Sequence, residues 1–320
     1  GANNVAVGLD ALKTATTQSS HTAVGACALR LTTGAQNTGF GFRALTTNSS
    51  GQCNTALGKD ALCANTSANY NTAVGHSSML KTTTGHSNTA LGLYSMACNT
   101  TGDSNISIGY ETLLNNTTAD NNVAIGRQAA RTNTTGTANT AVGQSALYGN
   151  TTADNNTAIG FCALKTNTTG ASNTAVGYQS LVSNTTGSVN VAVGYEALES
   201  NTSAGENTGV GYRALKGNTT GCQNASFGTC STYTNSTGDA NTGLGYKALF
   251  ANTTADNNTA VGFSALTANT TGSPNTAVGR NSLSANTTGA CNTGVGYNVM
   301  SNNTTGARNT AVGQQAADAN

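Results

Sequence analysis

The chain has 320 residues and a net charge of +1, and only 8% of its residues are charged, against about 25% in an average soluble domain. Leu, Ile, Val and Phe contribute 48 residues, below the ~20% of the chain that a conventional core requires. This inventory argues against a large enzyme core. The lack of Lys/Arg clusters argues against nucleic-acid binding, and no apolar run reaches the roughly 18 residues of a membrane-spanning helix.

One repeat accounts for the whole chain. Aligned on Asn-Thr-Ala-Val-Gly, the sequence holds nineteen copies of a 17-residue unit, of which the second copy has 16 residues. The copies begin at Asn4, His21, Asn37 and Asn54 and then recur every 17 residues to Asn309, with the consensus N-T-A-V-G-Y-x-A-L-x-x-N-T-T-G-x-x. We number the positions 1 to 17 from that Asn. We expect residues 1–320 to form a single array, a segment of a longer one, because neither end carries an atypical capping repeat.

Positions 2 to 5 predict a short strand that ends in a turn. Position 2 is Thr in fourteen copies, and position 4 is Val, Leu, Ile or Phe in every copy. β-branched residues at position 2 favour a strand. Position 5 is Gly in all nineteen copies, which indicates either a positive φ or an approach too close for a Cβ. These turn glycines include Gly8, Gly25, Gly41, Gly58, Gly75, Gly177 and Gly194.

Positions 6 to 12 predict a second segment and a second turn. We interpret positions 6–10, for example Tyr195-Glu196-Ala197-Leu198-Glu199, as a second short strand, with a single helical turn as the alternative. Position 9 is Leu or Met in sixteen copies, and we expect it to form the core together with position 4. Position 12 is Asn in sixteen copies, followed by Ser/Thr pairs, which is typical of a turn.

A 17-residue unit of this kind is too small to close a core alone, so its neighbours must supply the missing contacts. Stacking places identical positions ~4.8 Å apart and allows hydrogen-bonded Asn ladders. We therefore predict an all-β fold, a parallel β-solenoid or β-roll of nineteen rungs. A helical solenoid is disfavoured because its repeats run to ~33–47 residues. The small residues at positions 3 and 8 suggest that neighbouring chains approach closely, as in a homo-oligomeric rod.

The run NTAVGYQSLVSNTTGSVNVAVGYEAL, residues 173–198, resembles repeats of bacteriophage tail-fibre and tail-spike proteins. It is similar, more loosely, to the Val-Ala-Ile-Gly repeats of trimeric autotransporter adhesin heads, in which three chains associate. The resemblance covers residues 4–320 and implies a homotrimer at the virion surface or outside the cell. Complete members of these families also carry a chaperone domain, an anchor or a receptor-binding tip, and we expect none of these within residues 1–320.

Position 12 begins an Asn-[Ser/Thr]-[Ser/Thr] sequence in fifteen copies, and each such sequence is formally an N-glycosylation acceptor. We expect these asparagines to lie in surface turns, where turn geometry alone also explains them. The candidate glycosylation sites are Asn48, Asn65, Asn99, Asn133, Asn167, Asn184, Asn218, Asn269 and Asn303.

Position 6 is aromatic in nine copies and predicts a discontinuous aromatic stripe. Such a stripe could bind carbohydrate by stacking, although half-buried Tyr more often covers a turn or lines a chain interface. Its residues are Tyr110, Tyr178, Tyr195, Tyr212, Tyr246 and Tyr297, together with Phe42, Phe161 and Phe263.

The remaining motifs favour no chemistry. The G-x-G-x-x-A matches that start at Gly39, Gly209 and Gly243 lack the flanking elements of a dinucleotide site, and the first Gly only replaces the Ala of position 3. The Thr ladders could bind ice, but position 2 is interrupted by Val, Ile and Ala. The eight cysteines are scattered and are interpreted as surface or turn residues. We therefore expect no enzyme, cofactor or metal.

The sequence as a whole predicts a structural shaft of a viral tail fibre or surface adhesin that acts as a rigid spacer. The alternatives are an extracellular filament-forming polymer, glycosylated or not, and a solenoid that binds carbohydrate or ice. The expected partners are further copies of the same chain, with cell-surface glycan as another candidate.

Overall fold

The computed structural model describes residues 1–318. The chain divides into two compact units, Gly1–Asn156 and Thr157–Asn320, and both units are built from the same coil. The described residues contain no helix, and each repeat contributes one three-residue strand. The single-helical-turn alternative for positions 6–10 is therefore excluded.

The first unit holds nine strands: β1 Val5–Val7, β2 Thr22–Val24, β3 Thr38–Phe40, β4 Thr55–Leu57, β5 Thr72–Val74, β6 Thr89–Leu91, β7 Ile106–Ile108, β8 Val123–Ile125 and β9 Thr140–Val142. The second unit holds ten: β10 Thr157–Ile159, β11 Thr174–Val176, β12 Val191–Val193, β13 Thr208–Val210, β14 Ala225–Phe227, β15 Thr242–Leu244, β16 Thr259–Val261, β17 Thr276–Val278, β18 Thr293–Val295 and β19 Thr310–Val312.

Successive strands of a unit pair in parallel and in register, so that equal positions of the repeat lie opposite each other. Thr72 pairs with Thr89, for example, and Thr174 pairs with Val191. One turn of the chain, which we call a rung, therefore stacks on the next. The predicted parallel β-solenoid is confirmed.

The segment at positions 6–10 is not the predicted second strand. Positions 7 and 9 have a positive φ in rung after rung, as at Glu196 (53°) and Leu198 (52°). The amide of Glu196 donates to Tyr178 O of the preceding rung (2.9 Å), and the amide of Leu198 donates to Ala214 O of the following rung (3.0 Å). The segment is thus bonded to both neighbours without the extended backbone of a strand.

A left-handed conformation costs a residue such as Leu roughly 1–2 kcal/mol. Position 9 accepts this cost because its side chain is buried: Leu181 and Leu198 are both inaccessible to solvent. Full burial of a Leu side chain contributes about 1.5–3 kcal/mol. Burial of the position-9 side chain therefore offsets the backbone strain at the same residue.

The core is formed by the side chains of positions 3, 8 and 9. Ala175 and Ala197 are fully buried, and a Cβ placed on Gly39 would lie 3.2 Å from Leu29 Cγ. Position 3 is small because it faces the interior beside position 9, and position 8, which also holds buried Thr112 and Val299, faces the interior as well. The predicted role of positions 3 and 8 in the approach of neighbouring chains is wrong. Position 4 does not join the core, because side chains alternate across a strand and position 3 already points inward.

Candidate interaction surface

The position-5 glycines close the strand side of each rung. Their φ angles lie between 123° and 140°, and a Cβ on Gly58 would lie 2.5 Å from Gly75 O of the next rung. Position 5 is therefore Gly for both reasons that the sequence left open, the positive φ and the approach of the next rung too close for a Cβ. The seven glycines named above share this arrangement, since each has a positive φ and a carbonyl of the next rung in the place of a Cβ.

The position-12 asparagines form a column inside the coil. Asn252 Nδ2 donates to Asn235 Oδ1 of the preceding rung (2.7 Å) and to Ala255 O of its own rung (2.9 Å). The predicted surface placement is therefore wrong. None of the nine candidate glycosylation sites is more than 6% exposed, and these are Asn48, Asn65, Asn99, Asn133, Asn167, Asn184, Asn218, Asn269 and Asn303.

A second asparagine column runs along position 1. Asn224 Oδ1 accepts the amide of Asn241 (2.9 Å), and Asn224 Nδ2 donates to Gly238 O (2.8 Å). The same carbonyl accepts Asn235 Nδ2 of position 12 (2.9 Å). The two columns thus meet at the position-15 carbonyl and satisfy polar groups that would be costly to bury unpaired.

Positions 2 and 4 form the outward side of the strands, which we call the strand face. Position 4 gives it an apolar row in every rung, and position 2 adds mostly Thr. Phe40 is 50% exposed, Ile108 37% and Leu244 46%. These side chains repeat on neighbouring rungs within each unit because the strands are in register. Contiguous exposed apolar surface of this kind marks an interaction site in soluble proteins.

Position 6 carries stacked aromatic rings in the second unit. Phe161, Tyr178, Tyr195 and Tyr212 form a column, with ring centroids 5.0–5.4 Å apart and ring planes within 14° of parallel. Tyr246 and Phe263 form a second pair at 5.1 Å, whereas no stacked aromatic neighbour is found for Tyr110 or Tyr297 among residues 1–318.

Ring stacking limits what the aromatic stripe can bind. A sugar that stacks on an aromatic side chain needs a free ring face, and the faces of Tyr178 and Tyr195 are covered by their neighbours in the column. Arg213 lies over the Tyr212 ring, with Cζ 4.9 Å from the centroid. The column therefore offers mainly ring edges and hydroxyl groups to solvent.

Charged pairs link positions 7 and 10 of neighbouring rungs. Glu196 Oε2 accepts Arg213 Nε (2.8 Å) and Lys216 Nζ (2.6 Å). In the first unit, hydrogen bonds from Gln128 Nε2 (2.9 Å) and Arg131 Nε (2.8 Å) lower the pKa of Glu111. Opposite charges therefore neutralise one another within these pairs.

The other sequence motifs occupy structural places. Gly39, Gly209 and Gly243 stand at position 3, each on a strand followed by a turn instead of a helix. All eight cysteines lie within the described residues and are free. Cys63 and Cys162 are buried and lie in turns.

Within each unit the described residues form no pocket. Residues 1–318 bring together no group of His, Cys, Asp and Glu suited to a metal ion. They also include no helix that is long and apolar enough to cross a membrane. No family model and no curated protein matches the chain.

Sequence reasoning missed the strand face, although the signal was present. Position 3 is Ala, Ser or Gly between larger residues at positions 2 and 4. In a strand that lines a narrow coil, the small residue of such a triplet points inward and the large ones point outward. The interior role of position 1 was likewise readable from its Asn in eighteen copies.

Proposed function

We propose that this chain is a structural shaft of a viral tail fibre or surface adhesin, in which copies of the chain associate through the strand face. It acts as a stiff spacer at the virion surface or outside the cell. The proposal assigns the chain no catalytic role. The observation that carries it is the combination of an interior built only of stacked ladders with an apolar row left on the outside of the strands.

Stiffness is supported by the backbone ladder around each rung. In the rung that begins at Asn71, the amide of Thr72 donates to Asn88 O (2.8 Å), and the amide of Gly75 donates to Leu57 O (2.8 Å). Further amides at positions 7, 9, 11, 13 and 17 of this rung also donate to a neighbouring rung, at 2.9–3.1 Å. A bend between rungs must lengthen several of these bonds at once.

Self-association is supported by the composition of the strand face. The face is made of Thr, Val, Ile, Leu, Phe and one Ala, carries no charged side chain in β1–β19, and repeats on each rung. Interfaces of permanent oligomers are similarly apolar. A second copy of the chain presents the same apolar row, and so matches this surface in chemistry and in spacing.

A trimer is the assembly implied by the resemblance to adhesin heads, and closed cyclic symmetry turns the same side of every copy towards the axis. The filament, carbohydrate-binding and ice-binding alternatives remain alternatives. Ring stacking weighs against the carbohydrate reading of position 6, and the interruptions at position 2 weigh against ice binding on the strand face.

The test is the solution mass of two variants, measured by multi-angle light scattering. Replacing Val176, Val193 and Val210 by Lys places three charges on the strand face of neighbouring rungs. The matched control replaces Thr186, Ser203 and Thr220, which stand at exposed position 14 of the same region, also by Lys.

We expect the wild type and the control to have three times the mass of the 31.8 kDa chain, and the strand-face variant to fall to the mass of one chain. Circular dichroism must show that both variants remain folded. A wild type at the mass of one chain would overturn the association. Filaments that lengthen with concentration in negative-stain images would support the polymer alternative instead.

A further inference from the structure

A few asparagines outside positions 1 and 12 also begin an N-glycosylation acceptor sequence. One of them is Asn257, at position 17 of its repeat, in the sequence Asn257-Asn258-Thr259. Its side chain is exposed and makes no hydrogen bond to another part of residues 1–318. It differs in both respects from the asparagines of the interior columns.

The surroundings of Asn257 leave room for a bulky group. The same position of the preceding and following rungs carries Ala240 and Pro274, and both are exposed. The amide of Asn257 donates to Asp239 O (3.0 Å), which holds the backbone in place and leaves the side-chain amide free. Asn257 has a φ of 58°, a conformation that Asn adopts more readily than most residues.

Asn252 provides the contrast within the same rung. It begins the acceptor sequence Asn252-Thr253-Thr254, yet it is fully buried. Its Nδ2 donates to two oxygens, Asn235 Oδ1 and Ala255 O. A sugar on Nδ2 replaces one of its two hydrogens, so it breaks one of these bonds and requires space that the coil does not have.

We propose that Asn257 is an N-glycan acceptor site of the folded chain, whereas the position-12 asparagines are closed to modification once the coil has formed. The substrate is a sugar activated at C1 by a nucleotide or polyprenyl diphosphate. Asn257 Nδ2 forms the new bond to C1, the diphosphate leaves with the electron pair of the C1–O bond, and the amide nitrogen releases one proton. Asn155, exposed at the same position and followed by Asn156 and Thr157, meets the same sequence and exposure criteria.

The test uses a soluble N-glucosyltransferase with UDP-glucose, acting on the folded protein and, in parallel, on its proteolytic peptides. Peptide mapping by mass spectrometry then gives the occupancy of each asparagine. In the peptides we expect glucose on both Asn252 and Asn257. In the folded protein we expect it on Asn257, with occupancy at Asn252 at least tenfold lower.

Two variants serve as controls. Asn257→Gln should abolish the modification of this rung in the folded protein, and Thr254→Ala, which removes only the acceptor sequence of Asn252, should leave it unchanged. Glucose on Asn252 in folded protein would overturn the proposal. So would an unmodified Asn257 in folded protein whose peptides are modified there, or an unmodified Asn257 in both.

Discussion

At the scale of a single residue, Thr82 interrupts the position-12 column of the first unit. Fifteen described rungs carry Asn at this position, and each Asn side chain can both donate and accept along the column. Thr82 Oγ1 and Asn65 Oδ1, its neighbour in the column, are both buried without a hydrogen-bond partner. The two unpaired atoms share one cause, because Thr82 has no amide nitrogen to donate to Asn65 Oδ1 and its hydroxyl reaches no partner in the neighbouring rungs.

We predict that Thr82→Asn stabilises the chain. The new Nδ2 would donate to Asn65 Oδ1 and to Gly85 O, as its counterparts do in other rungs. Since an unsatisfied buried group costs about 1–3 kcal/mol, we expect the free energy of unfolding to rise by about 1–2 kcal/mol in denaturant titrations. Thr84→Asn, at an exposed position, should change it little. A loss of stability in Thr82→Asn would contradict the prediction that an Asn at this residue joins the hydrogen-bonded position-12 column.

His21 replaces Asn in the position-1 column and makes the stability depend on pH. It is 1% exposed, its Nδ1 accepts the amide of Asn37 (3.3 Å), and its Nε2 is buried without a partner. Burial disfavours the imidazolium and lowers the pKa of His21 below its ordinary value of 6.5. Protonation at Nδ1 would also remove the acceptor of Asn37.

The direction in which the free energy of unfolding changes with pH follows from proton uptake. Below pH ~6.5 the unfolded chain binds a proton at this residue that the folded chain does not yet bind, so the free energy of unfolding falls as pH falls. We expect the fall to begin near pH 6.5 and to end below the pKa of folded His21. His21→Asn, which keeps an acceptor for Asn37, should flatten this part of the stability curve. An unchanged slope would show that His21 is not responsible.

At the scale of the rung, the strand and the positive-φ segment contribute different side chains to the core. The strand turns its small side chain inward, and the opposite wall supplies Leu. Leu181 is fully buried, whereas Val176 of β11 is only partly buried. Equal hydrophobicity in the sequence therefore does not mean an equal contribution to the core.

We predict that Leu181→Ala lowers the free energy of unfolding by about 2–5 kcal/mol, the usual cost of emptying a buried Leu site. Leu and Ala adopt the positive φ of position 181 at similar cost, so the loss of stability measures side-chain packing. Val261→Ala, at the same position of β16 and also only partly buried, should cost less than about 1.5 kcal/mol in the separated chain, because most of its contacts are missing there. Equal losses, measured on the monomeric strand-face background, would place position 4 in the core.

At the scale of the molecule, the coil uses its polar residues inside and leaves many aliphatic ones outside. Asn is buried at two positions of almost every rung, while the strand face exposes Val, Ile and Leu. A chain with few large apolar residues can hold such an interior because amide ladders replace part of the usual hydrophobic packing. The association proposed above would bury the apolar surface that the single chain leaves exposed.

The sequence by itself determined the period, the parallel register, the position-5 turns and the buried position-9 Leu, because a 17-residue repeat can satisfy its backbone only through its neighbours. It did not determine which side of each short segment faces inward. That was decided by the interior of the coil, which places the small side chain of position 3 beside the Leu of position 9 and also encloses the position-12 asparagines. The left-handed conformation at positions 7 and 9 could not be predicted from the sequence either. A Leu at positive φ is unfavourable locally and becomes stable only when the assembled interior buries its side chain.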